Sequence, residues 1–117
     1  MTPQDAKDTY RSMMDERGEV VLIRRYLGSG QNRPKFEVSV RARVFDYTAV
    51  ELIGGIIQGD HKVIVLHEDL VSGQYNLPIL KNDKIVVQGK ELNIESPDRH
   101  TRKIAGELIA YELQARG

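Results

Sequence analysis

The chain has 117 residues, 40% of them hydrophobic and 29% charged, and its 17 Lys and Arg offset its 17 Asp and Glu. This is ordinary composition for one globular domain, with enough apolar sequence for a single core and too much for wholesale disorder. Cysteine is absent, which excludes disulfides, thiolate metal sites and a cysteine nucleophile.

Residues 3–17 read as a helix. Thr2 is a suitable N-cap, Pro3 suits the first turn, Asp5 meets the positive end of the helix dipole, and Gly18 follows as a C-terminal cap. Ala6, Tyr10, Met13 and Met14 form one narrow apolar stripe at spacings of four and three, so the helix belongs on a surface, docked along one edge. After Gly18 the period changes to two. Glu19–Leu27 reads as a strand, and 28–34 as a flexible polar loop. Phe36, Val38, Val40, Ala42 and Val44 then alternate with Glu37, Ser39, Arg41 and Arg43, which predicts a long strand with one wet face.

The stretch 46–60 is apolar yet carries Gly54, Gly55 and Gly59, which suits neither a helix nor a regular strand. It reads as a long loop closing at Gly59-Asp60. His61–His67 is the next strand, and Asp69–Pro78 a polar connection. Asp83–Gln88 and Lys90–Ser96 form a hairpin turning near Gln88-Gly89. Ser96-Pro97-Asp98 breaks the pattern, and Thr101–Gln114 is a final long strand. The expected fold is a single mainly β domain over 1–117: a helix at about 3–17, then a small antiparallel β-sandwich or barrel of five to six strands over about 19–115.

Residue supply argues against catalysis. His61 and His67, read on one strand, would stand roughly 20 Å apart, too far to share an ion. His100 lies beside Arg99, Arg102 and Lys103, a neighbourhood that repels cations. Gly28-Ser29-Gly30 lacks a following Gly-Lys-Ser/Thr, and no Gly-x-Ser-x-Gly elbow exists. No pair of acids is singled out as general acid and base. The expectation is a non-enzyme with no catalytic residues, metal, cofactor or small-molecule substrate. Apolar runs of only a few residues, as at Val63–Leu66, predict no membrane span. Asp5, Asp8 and Asp15 without an apolar stretch argue against a signal peptide, leaving the cytoplasm as the default compartment.

The remaining candidates are surfaces for partners. Leu52, Ile53, Ile56 and Ile57 form a glycine-laced apolar loop that either folds into the core or is covered by another chain. Met13 and Met14 offer adaptable apolar contact, or else dock the helix on its own sheet. Charge is uneven along the chain. Arg24, Arg25, Arg33, Lys35, Arg41 and Arg43 face only Glu37 within 24–43, whereas Asp46, Glu51, Asp60, Glu68 and Asp69 face only Lys62 within 46–70. Two readings fit: opposite patches for head-to-tail contact between subunits, with Arg41 and Arg43 against Glu51 and Asp60, or the solvated faces of neighbouring strands. The basic segment also admits phosphate contact, though the neutral chain has few aromatic residues for stacking bases.

The run Val44-Phe45-Asp46-Tyr47, continuing through Glu51-Leu52-Ile53-Gly54-Gly55-Ile56-Ile57-Gln58-Gly59-Asp60 to His61-Lys62-Val63-Ile64-Val65-Leu66, resembles tailed-phage and prophage neck proteins of the head–tail joining, or head-closure, type. Ile79–Lys90 is similar to the strand and hairpin that follow in them, and Tyr111-Glu112-Leu113-Gln114-Ala115-Arg116 to their Tyr-x-Leu-Gln-x-Arg terminus. The likeness spans about residues 40–117. It implies a small β-barrel or sandwich forming a homo-oligomeric ring between portal or adaptor and tail proteins. The ring would sit in the virion neck, be assembled in the bacterial host cytoplasm, and lie near DNA without gripping it. By position, the loop 46–60 would be the element that meets a neighbouring subunit or ring, with 28–35 as a second. A tail-terminator or other minor tail protein, and a small nucleic-acid-binding β-barrel, are the alternatives.

Overall fold

The computed structural model describes residues 2–27, 34–46, 60–98 and 102–116. In chain order they form α1 (Pro3–Arg17), β1 (Glu19–Tyr26), β2 (Lys35–Asp46), β3 (His61–Leu66), α2 (His67–Ser72), β4 (Lys84–Val87), β5 (Lys90–Asp98), β6 (Lys103–Ile104), β7 (Glu107–Leu108) and β8 (Ala110–Arg116). Six strands close into an antiparallel barrel in the order β1-β2-β3-β8-β5-β4, and β6 pairs with β7 alone. Of the two expected architectures, the barrel is the one the chain adopts, with a helix before it.

Period-two alternation builds the barrel interior. Val21 and Ile23 of β1, Val38, Val40 and Ala42 of β2, Val63 and Val65 of β3, Ile85 of β4, Leu92 and Ile94 of β5, and Tyr111, Leu113 and Ala115 of β8 share one buried cluster. Phe36 packs against this cluster as well. β3 departs from alternation because both its faces are covered. Val63 and Val65 point into the barrel, while Ile64 and Leu66 point outward onto Met14 of α1 and Ala110. Val63–Leu66 is therefore an unbroken apolar run, the pattern of a strand buried on both faces.

Thr2 caps α1 as expected. Its hydroxyl accepts from the Asp5 N–H at 3.1 Å, and the Asp5 carboxylate accepts from the Thr2 N–H at 3.1 Å, a reciprocal box. That bonding holds the Asp5 carboxyl below the usual carboxylate range. Gly18 ends the helix by a different route from the left-handed cap its sequence suggests. Its backbone is extended at φ −78°, and its N–H donates to Met14 O at 2.9 Å. The requirement for glycine is close approach, since a Cβ there would lie 2.5 Å from Met14 O.

Three expectations change. His67 does not end a strand but starts the short α2, so the two histidines lie on different elements. β5 runs through Pro97 to Asp98 past an irregularity between Ile94 and Ser96. Proline is tolerated there because β4 pairs only with Lys90–Asn93, leaving β5 beyond it paired on the β8 side. The predicted strand 101–114 is instead a tight hairpin, β6–β7, followed by β8. Ala105 and Gly106 turn that hairpin with φ of 51° and 81°. The Gln88-Gly89 turn was legible. Both its residues take positive φ, 50° and 81°, as a two-residue hairpin of this twist demands.

The connection from β3 to β4 crosses one end of the barrel and plugs it. Leu70, Tyr75 and Ile79 are buried in the barrel cluster, and Leu77 packs against it. The plug is pinned by Asp83, which is 4% exposed. Asp83 accepts from Arg25 Nε at 2.9 Å and Nη2 at 2.8 Å, from the Tyr75 hydroxyl at 3.1 Å and from the Leu80 N–H at 2.9 Å. Arg25 also donates to Pro78 O at 2.9 Å and stacks over the Tyr75 ring at 5.2 Å. Burial, reinforced by the Asp83 carboxylate, raises the Tyr75 hydroxyl well above the ordinary phenol range, and the Asp83 bonds raise the Arg25 guanidinium. Removing one partner of a buried pair strands the others. Asp83→Ala is expected to cost about 3–5 kcal/mol of stability, read as a lower urea midpoint; a loss within about 0.5 kcal/mol, the range of a neutral surface change, would show that the plug is held by packing alone.

Candidate functional site

Residues singled out from the sequence fall into three groups. Glu51, Leu52, Ile53, Ile56 and Ile57 lie outside the described residues, as does the loop 28–33. Met14 is fully buried under α1, with Met13 and Tyr10 packed beside it. As a surface contact Met14 is therefore corrected: it docks the helix on its own barrel. Arg41, Arg43 and Asp60 are described, and each is engaged within the chain.

Arg41 donates through Nε to Met14 O at 3.3 Å, at the C-terminal end of α1 where a cation suits the helix dipole. The Arg43 guanidinium sits 4.5 Å from the Phe45 ring centroid, with Lys62 Nζ 5.5 Å from the same ring. Asp60 is 3% exposed. It accepts from Arg116 Nε at 2.9 Å, Arg116 Nη2 at 2.9 Å and Gln114 Nε2 at 2.9 Å. Those bonds raise the Arg116 guanidinium. Asp60 is thus the clamp that ties the start of β3 to the end of β8.

The charge segregation seen along the sequence dissolves in space for the described residues. Arg24 meets Glu37 and Glu91, each at 2.7 Å, Arg25 meets Asp83, and Arg11 meets Glu68 at 2.7 Å and Asp69 at 2.6 Å. These three arginines are thus paired within the chain, Arg11 across the two helices, Arg24 across neighbouring strands and Arg25 in the buried pair with Asp83.

Among the described residues nothing fills the end of the barrel opposite the plug. A cleft of about 410 Å³ is lined there by Glu19, Val44, His61, Val87, Gln88, Lys90 and Leu92. These residues come from the ends of five strands and one turn. No local motif announces the site, because only barrel closure assembles it. Glu19 Oε1 has no exposed surface and no hydrogen-bond partner. Among the described residues no three His, Asp or Glu side chains gather where they could hold a metal ion, and no helix is long and apolar enough to cross a membrane.

The described residues define a helix-braced, six-stranded antiparallel barrel, plugged at one end and open at the other. Compared with known protein families and with curated protein sequences, the chain matches none.

One surface cluster makes a pH prediction. The Tyr26 hydroxyl donates to Glu91 Oε2 at 2.6 Å, beside Arg24, and this bond, then Arg24, lowers the Glu91 carboxyl below its usual range. A carboxyl lowered on folding adds stability that is present above its unfolded value and lost as pH falls through its folded value. Tyr26→Phe is therefore expected to melt below wild type at neutral pH, with the difference closing on acidification below about pH 4, the ordinary Glu range. Thermal melts across pH check this; a difference independent of pH would assign the effect to packing.

Proposed function

We infer that the chain is a structural subunit of a tailed-phage or prophage neck, assembling as a homo-oligomeric ring between portal and tail and performing no catalysis. The observation that carries this reading is how the barrel holds the stretch between Asp46 and Asp60. β2 and β3 run out to Asp46 and His61 as registered partners, and Asp60 is buried and clamped to β8. Leu52, Ile53, Ile56 and Ile57 are thereby tethered, through both ends of their segment, to one fixed end of the barrel. Aliphatic residues of that number, spaced by Gly54, Gly55 and Gly59, require a cover. In a ring the cover is a neighbouring subunit or the adjacent ring, joined heterologously.

The resemblance over residues 40–117 supplies the class of partner: portal or adaptor on one side, tail proteins on the other, with the virion neck as location after assembly in the host cytoplasm. A tail-terminator role rests on the same chemistry and differs only in which ring is met. A nucleic-acid-binding barrel is disfavoured by a specific observation: Arg41 and Arg43 are engaged with Met14 O and the Phe45 ring, and the chain carries no net charge to drive phosphate binding.

Mass photometry of the purified chain, alone and with its portal protein, tests the proposal. Burying each aliphatic side chain is worth about 1.5–3 kcal/mol, so Ile56→Ser/Ile57→Ser should weaken association by about tenfold or more while leaving the melting transition near wild type. If that double variant unfolds, the residues belong to the core and the interface is elsewhere. Oligonucleotide retention that falls steeply with salt, with no portal binding, would replace the neck reading with the nucleic-acid one.

A further inference from the structure

The plugged end of the barrel carries aliphatic surface that the fold leaves uncovered. Leu27, just past β1, is 49% exposed, and Leu80, on the plug, 48%. Tyr26 and Leu80 line one surface cleft of about 330 Å³ with Lys81 and Lys84, and Leu27 follows Tyr26 at its border. Arg25 and Asp83 in the same cleft are paired with each other, and Lys84 Nζ donates to Asn93 Oδ1 at 2.5 Å. Lys81 is exposed and has no acid partner among the described residues. The cleft therefore joins aliphatic contact to one free positive charge, and its complement is an aliphatic segment carrying a carboxylate.

This chain holds such a segment at its other end. Residues 47–59 contain Leu52, Ile53, Ile56 and Ile57, one acid, Glu51, and no Lys or Arg. They leave the barrel at Asp46 and return at Asp60, at the end opposite the plug. Their own plug end is out of reach. Ile53, midway between the two roots, extends at most about 25 Å from them. β2 alone carries the chain about 35 Å from Asp46 back to Lys35 beside the plug. A segment that reaches this cleft comes from a different molecule.

We propose that the plug end is the receptor for segment 47–59 of a second copy, whose aliphatic residues cover Leu27 and Leu80 and whose Glu51 meets Lys81. Opposite ends of neighbouring copies are then in contact. Such a heterologous contact repeats from copy to copy and makes a ring when its rotation closes. The inference rests on the reading that this segment is covered by a neighbouring subunit, and names the face that covers it.

Sedimentation velocity of the full chain over a concentration series, alone and with portal protein, is the test. Leu80→Asp should weaken self-association about tenfold or more, the loss of one covered leucine. Lys81→Glu and Glu51→Lys should each weaken it roughly two- to fivefold, the range of an exposed ion pair. The doubly exchanged chain, Glu51→Lys/Lys81→Glu, should recover it. Leu80 and Lys81 are exposed, so their variants should melt near wild type; should Leu80→Asp fail to fold, the charge exchange decides alone. Because the chain has no cysteine, the contact is also read directly. An equal mixture of Ile53→Cys and Leu80→Cys chains should oxidise to the mixed dimer in excess of either homodimer. If Ile56→Ser/Ile57→Ser weakens association while the Leu80, Lys81 and exchanged variants leave it unchanged, the receptor is refuted and the neck reading stands. If the plug-end variants weaken self-association but portal protein is not bound, the receptor stands and the neck reading falls. A wild-type chain that stays monomeric in both settings, or cysteine chains that form only homodimers, overturns the receptor.

Discussion

Closure of the barrel rests on the buried pair Arg25–Asp83. The β1–β4 seam is short, with only Leu22–Val86, Ile23–Ile85 and Arg24–Lys84 in register. A ladder of that length needs side-chain support to stay shut. Arg25 crosses from β1 to Asp83, immediately before β4, and the same carboxylate gathers Tyr75 and Leu80 from the plug. One acid therefore sets where β4 begins, holds the plug in the barrel end and joins the first strand to the sheet. Because Asp83 is almost fully enclosed, its bonds are shielded from water and salt, unlike the exposed pair Lys7–Glu107.

The second organising fact is that β3 is covered twice. Its inner side chains complete the barrel core, and its outer ones meet Met14 beneath α1. The helix is thereby fixed across β2, β3 and β8, where Arg41 bonds its last turn and Arg102 ties it further by donating to the Tyr10 hydroxyl and the Glu112 carboxylate. Helix and barrel form one body. Val20 remains 60% exposed on the uncovered flank.

The two barrel ends differ in a way that bears on function. One is filled by Leu70, Tyr75 and Ile79 and locked by Asp83. The other keeps a cleft and carries both roots of the aliphatic segment 47–59, one of them clamped by Arg116 and Gln114. The segment 47–59 is thus joined at both its ends to the barrel end opposite the plug.

What the sequence by itself determined was local. The Thr2–Asp5 box, the helix 3–17, the alternation from Phe36 to Val44 and the Gln88-Gly89 turn follow from neighbours a few residues apart, whose chemistry does not wait for the fold. The α2 helix, the passage of β5 through Pro97 and the Ala105-Gly106 turn were not legible, because each is permitted by where the surrounding strands end. The split of basic and acidic segments was real along the chain and misleading in space, since Arg24 and Arg25 meet Glu37, Glu91 and Asp83 only after folding. Met13 and Met14 were visible as a stripe, but the choice between partner and own core fell to the outward face of β3. Barrel rather than sandwich, the plug, and the cleft around Glu19 were decided by tertiary structure alone. They depend on pairings such as Leu22 with Val86, between residues far apart in sequence, and no local pattern encodes which distant strand will close the ring.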